Sequence, residues 1–135
     1  MISLVCLDTS FIADLNRKDI GAIAKIKEFI ENREKLVTTV INVAELYKGA
    51  YGHHNAERKL KEVDELILIL FVLEMNVRAS KNYGYYYHYL KKTGKMIEDR
   101  DILIASIALS FGENRIVTRN IKHFERIEEI EVVSY

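Results

Sequence analysis

Short apolar runs alternate with longer segments of helical period along this chain. Residues 2–7 (ISLVCL) are apolar at five of six positions, the pattern of a strand buried on both faces. Residues 10–16 and 19–33 predict helices, the second with Ile20, Ile23, Ile26, Phe29 and Ile30 at helical spacing. KLVTTV (35–40) predicts a second strand, followed by helices over NVAELYKGAY (42–51) and roughly 54–68. LFVLEM (70–75) predicts a third strand, and residues 77–92 a tyrosine-rich helix ending near KKTGK. The helix predicted over 99–111 has a broad apolar face supplied by Ile102, Leu103, Ala105, Ile107, Ala108 and Leu109. RIVT (115–118), a helical turn in NIKHFERI and a last strand in EVVSY (131–135) complete the series. Strands that alternate with helices predict a parallel sheet covered on both faces. The expected fold class is therefore α/β, a three-layer α/β/α sandwich around a four- to five-stranded, mainly parallel sheet.

Strand-to-helix alternation also locates the chemistry. In an open parallel sheet, ligands bind beyond the carboxyl ends of the strands. Asp8 follows the first strand directly. Glu45 stands just over one turn into the helix after the second strand, and Asp101 opens the helix 99–111. Crossover helices run antiparallel to the strands they join, so Asp101 is expected at the same edge, as is Asn120 after the fourth strand. Each residue alone has a plainer reading: Asp8 as a helix N-cap, Glu45 as a solvated helix residue, Asp99 and Asp101 as complements to a helix dipole. Their arrival at one edge is what favours a site. Carboxylates within about 4–6 Å of one another repel and raise each other's pKa, and a cation removes that repulsion. Hard oxygen donors without cysteine or a histidine cluster suit Mg²⁺ or Mn²⁺ rather than Zn²⁺. Such an ion acts on phosphate substrates, and helix N-termini at the same edge add positive potential.

Composition narrows the classes. A chain of 135 residues is expected to form one domain over 1–135 and to bury a sizeable core without disulfides. Its single cysteine, Cys6, lies in the first apolar run and reads as a core residue, which suits a reducing compartment and points to the cytoplasm. The 20 basic side chains balance 20 acidic ones, so a nucleic-acid partner would be gripped by a local patch rather than by the field of the whole molecule. No apolar run reaches membrane-spanning length, and the N-terminal run lacks the basic flank and cleavage site of a signal peptide, so no membrane association is expected.

Taken together, LDTSFIADL, NVAELYKGAY, DRDILIASIAL and IVTRNIKHFERI, in this order and spacing, resemble a PIN domain, most closely the VapC toxin ribonucleases of toxin–antitoxin pairs. The resemblance covers nearly the whole chain. It implies a Mg²⁺- or Mn²⁺-dependent endoribonuclease, a homodimer, and inhibition by a small antitoxin that inserts a peptide near the acidic pocket. Carried over residue by residue, it makes Asp8, Glu45 and Asp101 the catalytic, metal-binding acids. Many PIN domains carry a fourth acid where this chain has Asn120, which puts a second tightly held metal in doubt. Asp99 points about 200° from Asp101 on a helix and is expected to be supporting at best. Thr9, Ser10, Thr118 and Asn120 are the other expected supports.

Arg119, beside Asn120, is a candidate for a phosphate contact or for an ion pair with a surface glutamate. Lys91, Lys92 and Lys95 form a basic cluster at a helix end, where cations also favour the dipole. Tyr83, Tyr86, Tyr87 and Leu90 share one helical face, read as core and interface packing in preference to base stacking. His53, His54, His88 and His123 have no ligand spacing and offer no strong acid–base candidate. Among rival enzymes, haloacid-dehalogenase-like phosphatases need an Asp where Ser10 stands, and dinucleotide binding needs a glycine-rich turn that is missing after the first strand. A PIN-like module that binds RNA or a protein without cutting is the alternative, and Asn120 is the residue that supports it.

Overall fold

The computed structural model describes residues 3–135. Five strands form one sheet in the order β3-β2-β1-β4-β5, with every neighbouring pair parallel. The strands are β1 (Leu4–Leu7), β2 (Lys35–Thr39), β3 (Phe71–Leu73), β4 (Arg115–Val117) and β5 (Glu131–Val133). The helices are α1 (Thr9–Asn16), α2 (Ile20–Glu31), α3 (Val40–Tyr51), α4 (Ala56–Ile69), α5 (Val77–Thr93), α6 (Asp99–Ser110) and the single turn α7 (Ile121–Phe124). The expected start of the first strand at Ile2 lies outside the described residues. The sheet is wholly parallel where the expectation was mainly parallel.

Two apolar cores, one on each face of the sheet, make the three layers. Cys6, Val37, Leu73 and Ile116 face α5, α6 and α7, where Leu90, Ile102, Ile104, Ile107 and Phe124 are buried. Val5, Leu7 and Val117 face the opposite way, toward Phe11 and Ile12 of α1 and Phe29 of α2. Successive β1 side chains point to opposite faces, and both faces are covered, so the run LVCL has no polar position. Cys6 is a fully buried free thiol whose pKa is pushed far up by burial.

The order of the strands reverses at β1. The chain first winds outward through β2 to β3, then crosses by way of α5 and α6 to β4 on the other side of β1. The crevice beyond the carboxyl ends of β1 and β4 is therefore the topological switch point, the usual ligand position in such sheets. Asp8 stands in it, its backbone N–H donating to the Val117 carbonyl at 3.1 Å.

Two boundaries differ from the expected ones for reasons that matter to this crevice. The second strand stops at Thr39 because Thr39 caps α3, which starts at Val40 rather than residue 42. Thr39 Oγ1 accepts from the Asn42 backbone N–H at 3.3 Å, while Asn42 Oδ1 accepts from the Thr39 backbone N–H at 3.3 Å and from its hydroxyl at 2.7 Å. That reciprocal cap fixes the Asn42 side chain with its amide hydrogens turned toward β1. At its other boundary the tyrosine-rich helix α5 ends on Gly94, whose φ of 70° is the left-handed conformation glycine adopts without strain. Tyr86 and Leu90 are buried and Tyr83 and Tyr87 pack against the same core, as the apolar face predicts, while Tyr85 and Tyr89 stack on the exposed side with centroids 6.5 Å apart.

Because the Thr39 cap serves both the helix and the crevice, Thr39→Ala is expected to lower the unfolding free energy by about 1–2 kcal/mol, measured by urea denaturation. A midpoint equal to that of the wild type would show that α3 does not depend on this cap.

Candidate active site

Asp8 occupies the N-cap position of α1 but its side chain makes no capping bond, so the helix-cap reading of this residue is corrected. The carboxylate turns sideways. Its Oδ1 accepts from Asn42 Nδ2 at 3.1 Å, and its Oδ2 accepts from Ser10 Oγ at 2.9 Å and Thr118 Oγ1 at 2.7 Å. Only 3% of Asp8 is exposed. A buried carboxylate needs such partners, since desolvation alone makes the charged form costly. All three donors are neutral, so Asp8 is hydrogen-bonded without being neutralised.

Glu45 reaches the same cleft from α3. Its Oε1 accepts from Thr9 Oγ1 at 2.8 Å and its Oε2 from Arg100 Nη1 at 2.6 Å. Asp101, 1% exposed, enters from the first turn of α6. Its Oδ2 lies 2.6 Å from His123 Nδ1 and its Oδ1 lies 3.6 Å from Arg100 Nε. Burial, the larger cause, raises the pKa of both acids. Asp8 adds to the shift in each and Asp101 adds to it in Glu45, while Thr9 and Arg100 counteract it at Glu45 and His123 and Arg100 at Asp101. Glu45 thus senses both aspartates electrostatically, and Asp101 senses Asp8.

These residues line a cleft of about 360 Å³ together with Thr9, Ser10, Ala13, Arg17, Arg100, Arg119 and Asn120. Asn120 joins the lining and its backbone N–H donates to Thr118 Oγ1 at 2.9 Å. Thr9, Ser10 and Thr118 each bind an acid of the cleft, as just described. Asp99 does not join the site: its carboxylate accepts from the Tyr83 hydroxyl of α5, which corrects its assignment as a support. Arg119 pairs with the buried Asp14, at 3.0 Å, and not with a surface glutamate.

Four participants escaped the sequence reasoning. Arg100 looked like one charge among many in DRD. Asn42 looked like a helix residue, although the spacing of Thr39 and Asn42 is that of an N-terminal cap. His123 lies 22 positions from Asp101 with no ligand spacing. Asp14 is held by the Tyr135 hydroxyl at 2.5 Å, Arg17 at 2.9 Å and Arg119, and these partners keep its carboxyl below the ordinary range, Tyr135 most strongly.

The donor set suits a hard divalent cation in chemistry and in charge: oxygen ligands, with Glu45 and Asp101 destabilised as anions chiefly by burial. The spacing is a different matter. Among the described residues no three His, Cys, Asp or Glu side chains converge at metal-ligating distance. Two of the three acids are instead closed on a guanidinium.

The fold agrees with the comparisons. The chain matches the PIN domain over residues 5–130. It is 34% identical to Ribonuclease VapC1 of Haemophilus influenzae strain R2866 over 93% of its own length and 92% of the relative's. The structure of VapBC-1 from nontypeable Haemophilus influenzae contains a chain that superposes with a TM-score of 0.86 at 33% identity, covering 97% of each chain. A DNA-bound VapBC from Salmonella typhimurium gives a TM-score of 0.86 at 29% identity, covering 99% of this chain and 98% of that one. This chain belongs to the PIN-domain family, a family of metal-dependent nucleases.

Asp14 supplies a pH test. Its pKa is depressed from 3.8 by folding, so its contribution to stability is complete above that value and is lost as pH falls through the lower folded value. Asp14→Asn is expected to cost about 1–3 kcal/mol near neutral pH, and the gap from the wild type should close below about pH 4. Thermal melts of both proteins across this range measure it, and a gap independent of pH would refute the assignment.

Proposed function

We propose that Asp8, Glu45 and Asp101 hold one divalent cation, Mg²⁺ or Mn²⁺, and that this centre hydrolyses phosphodiester bonds within RNA. The observation that carries the reading is the delivery of three carboxylates by three separate elements, the end of β1, α3 and α6, into one cleft at the switch point of a PIN-domain sheet. When bound, such an ion offsets negative charge on the phosphodiester and makes a bound water more acidic. The chain's own residues do the rest. Asn42, Ser10 and Thr118 orient Asp8, and His123 orients Asp101. Thr9 orients Glu45. Arg17 and Arg119, both tied to Asp14, place positive charge at the rim of the cleft for the RNA backbone.

The curated relatives named above and their complexes support a toxin role with an antitoxin partner. A second, larger cleft of about 550 Å³ supports it too. Leu46, Val63, Leu66 and Ile69 of α3 and α4 line it, and it shares Ala13 with the acidic cleft. A peptide of the antitoxin seated there would reach the acidic cleft at Ala13. Exposed apolar side chains at Leu68, Ile69, Phe71 and Val77 support a homodimer face at the end of α4 and the edge strand β3. No described helix is long and apolar enough to cross a membrane. The proposed setting is the cytoplasm, where RNA is available and Cys6 stays reduced.

Asp8→Asn and Asp101→Asn are each expected to lower single-stranded RNA cleavage by at least about a hundredfold while the circular dichroism spectrum is kept. Cleavage at the wild-type rate by either variant would remove that residue from the centre. Mg²⁺ or Mn²⁺ at millimolar concentration is expected to raise the melting temperature of the wild type, because a ligand that binds only the folded chain stabilises it. An unchanged melting temperature would instead favour a PIN-like binding module that does not cut.

A further inference from the structure

The position of Arg100 is not explained by the helix that carries it. It stands in the first turn of α6, where the macrodipole disfavours a cation. Its guanidinium spans two of the three acids: Nη1 lies 2.6 Å from Glu45 and Nε 3.6 Å from Asp101, while Nη2 lies 3.2 Å from Glu98. Burial works to lower its pKa, and the same acids together outweigh it and raise the pKa. Asp8, by contrast, is satisfied by neutral donors and takes no part in these ion pairs.

Resting on the metal-centre reading above, we propose that Arg100 is an internal counter-ion of the acidic centre that exchanges with the divalent cation. Without the metal it neutralises Glu45 and Asp101 and keeps them apart from a ligand arrangement. With the metal it gives up both carboxylates and becomes a guanidinium at the cleft for an RNA phosphate. Three features make the exchange feasible. The Arg100 side chain is 45% exposed, so its guanidinium already borders solvent. Glu98, 59% exposed, is already paired with it and stays available as a partner after release. Asp8 keeps its orientation throughout, because none of its donors is lost when Arg100 leaves. Arg100 is thus a positioning residue for the centre in one state and a substrate-binding residue in the other. It also lowers the charge of the unloaded cleft, which limits the mutual repulsion of the acids.

The test uses the full chain and Mn²⁺ alone, titrated by calorimetry into the wild type, Arg100→Gln and Arg100→Lys, with no RNA present. Removing a partly exposed cation that competes for two carboxylates is expected to tighten Mn²⁺ binding about five- to tenfold in Arg100→Gln. Arg100→Lys, which keeps the charge on a shorter and less branched donor set, is expected to fall between the two. With Mn²⁺ saturating, Arg100→Gln should raise KM for single-stranded RNA more than it lowers kcat. Equal Mn²⁺ affinity in all three proteins, or weaker binding in Arg100→Gln, would overturn the exchange while leaving the metal centre in place. A wild type that does not bind Mn²⁺ at millimolar concentration would overturn the metal-centre reading itself. If Arg100→Gln does not fold, the comparison of Arg100→Lys with the wild type decides the matter by the same criterion.

Discussion

A charged carboxylate buried at the end of the central strand is the constraint on which the rest of this structure turns. Leaving Asp8 desolvated without partners would cost several kcal/mol, yet the crevice between β1 and β4 admits little water to it. The fold meets the requirement by bringing donors from three places: Ser10 from α1, Asn42 from α3 and Thr118 from the end of β4. Each of those donors is itself held. The Thr39 cap holds Asn42, Thr118 Oγ1 accepts from the Asn120 backbone N–H at 2.9 Å, and Ser10 Oγ accepts from the Arg119 backbone N–H at 3.0 Å. Among the described residues no buried side-chain nitrogen or oxygen lacks a hydrogen-bond partner. The network therefore couples the register of β1, β2 and β4 to the orientation of one side chain.

Glu45 and Asp101 are handled differently. Each has one hydrogen-bonding neighbour that orients it, Thr9 or His123, and each also faces Arg100. Partial neutralisation by a half-exposed arginine leaves these acids poised, whereas Asp8 is held by three neutral donors. The distinction follows from burial and position: Asp8 lies at the floor of the cleft and the arginine reaches in from its rim. A second arginine group, Arg17 and Arg119 on Asp14, ties the loop after β4 to α1 and to Tyr135. Acids at the centre and cations at the rim are the charge distribution expected of a cleft that binds a cation and a polyanion together.

The elements and their edge were legible because they follow from periodicity and topology. A run such as LVCL admits one placement, and once strands alternate with helices the ends of β1 and β4 and the start of α6 must share an edge. That reasoning sufficed to bring Asp8, Glu45, Asp101 and Asn120 to one cleft. It could not reveal which donor each oxygen takes. Asn42 serves Asp8 across 34 positions only because a local cap aims its amide, and a cap contributes no hydrophobic period. His123 and Arg100 depend on side-chain reach across the cleft, which spacing along the chain does not encode. Asp99 shows the opposite case: the helical offset from Asp101 pointed it away from the cleft, and the Tyr83 hydroxyl that takes it up lies on a different helix.

Asn120 acquires a physical meaning in this setting. It lines the cleft beside three carboxylates, of which Glu45 and Asp101 have raised proton affinities, chiefly from burial, and Arg100 is the arginine paired with both of them. A carboxylate at this position would add a further negative charge to the lining, and Arg100 alone would then face a larger excess. An amide at 120 offers an oxygen without that charge. Its backbone N–H meanwhile keeps Thr118 in place, and Thr118 keeps Asp8. The residue thus preserves the chain of hydrogen bonds that holds the buried acid while limiting the negative charge of the cleft. On this argument the amide is matched to a centre that closes on its own arginine, and the two features belong to one electrostatic arrangement.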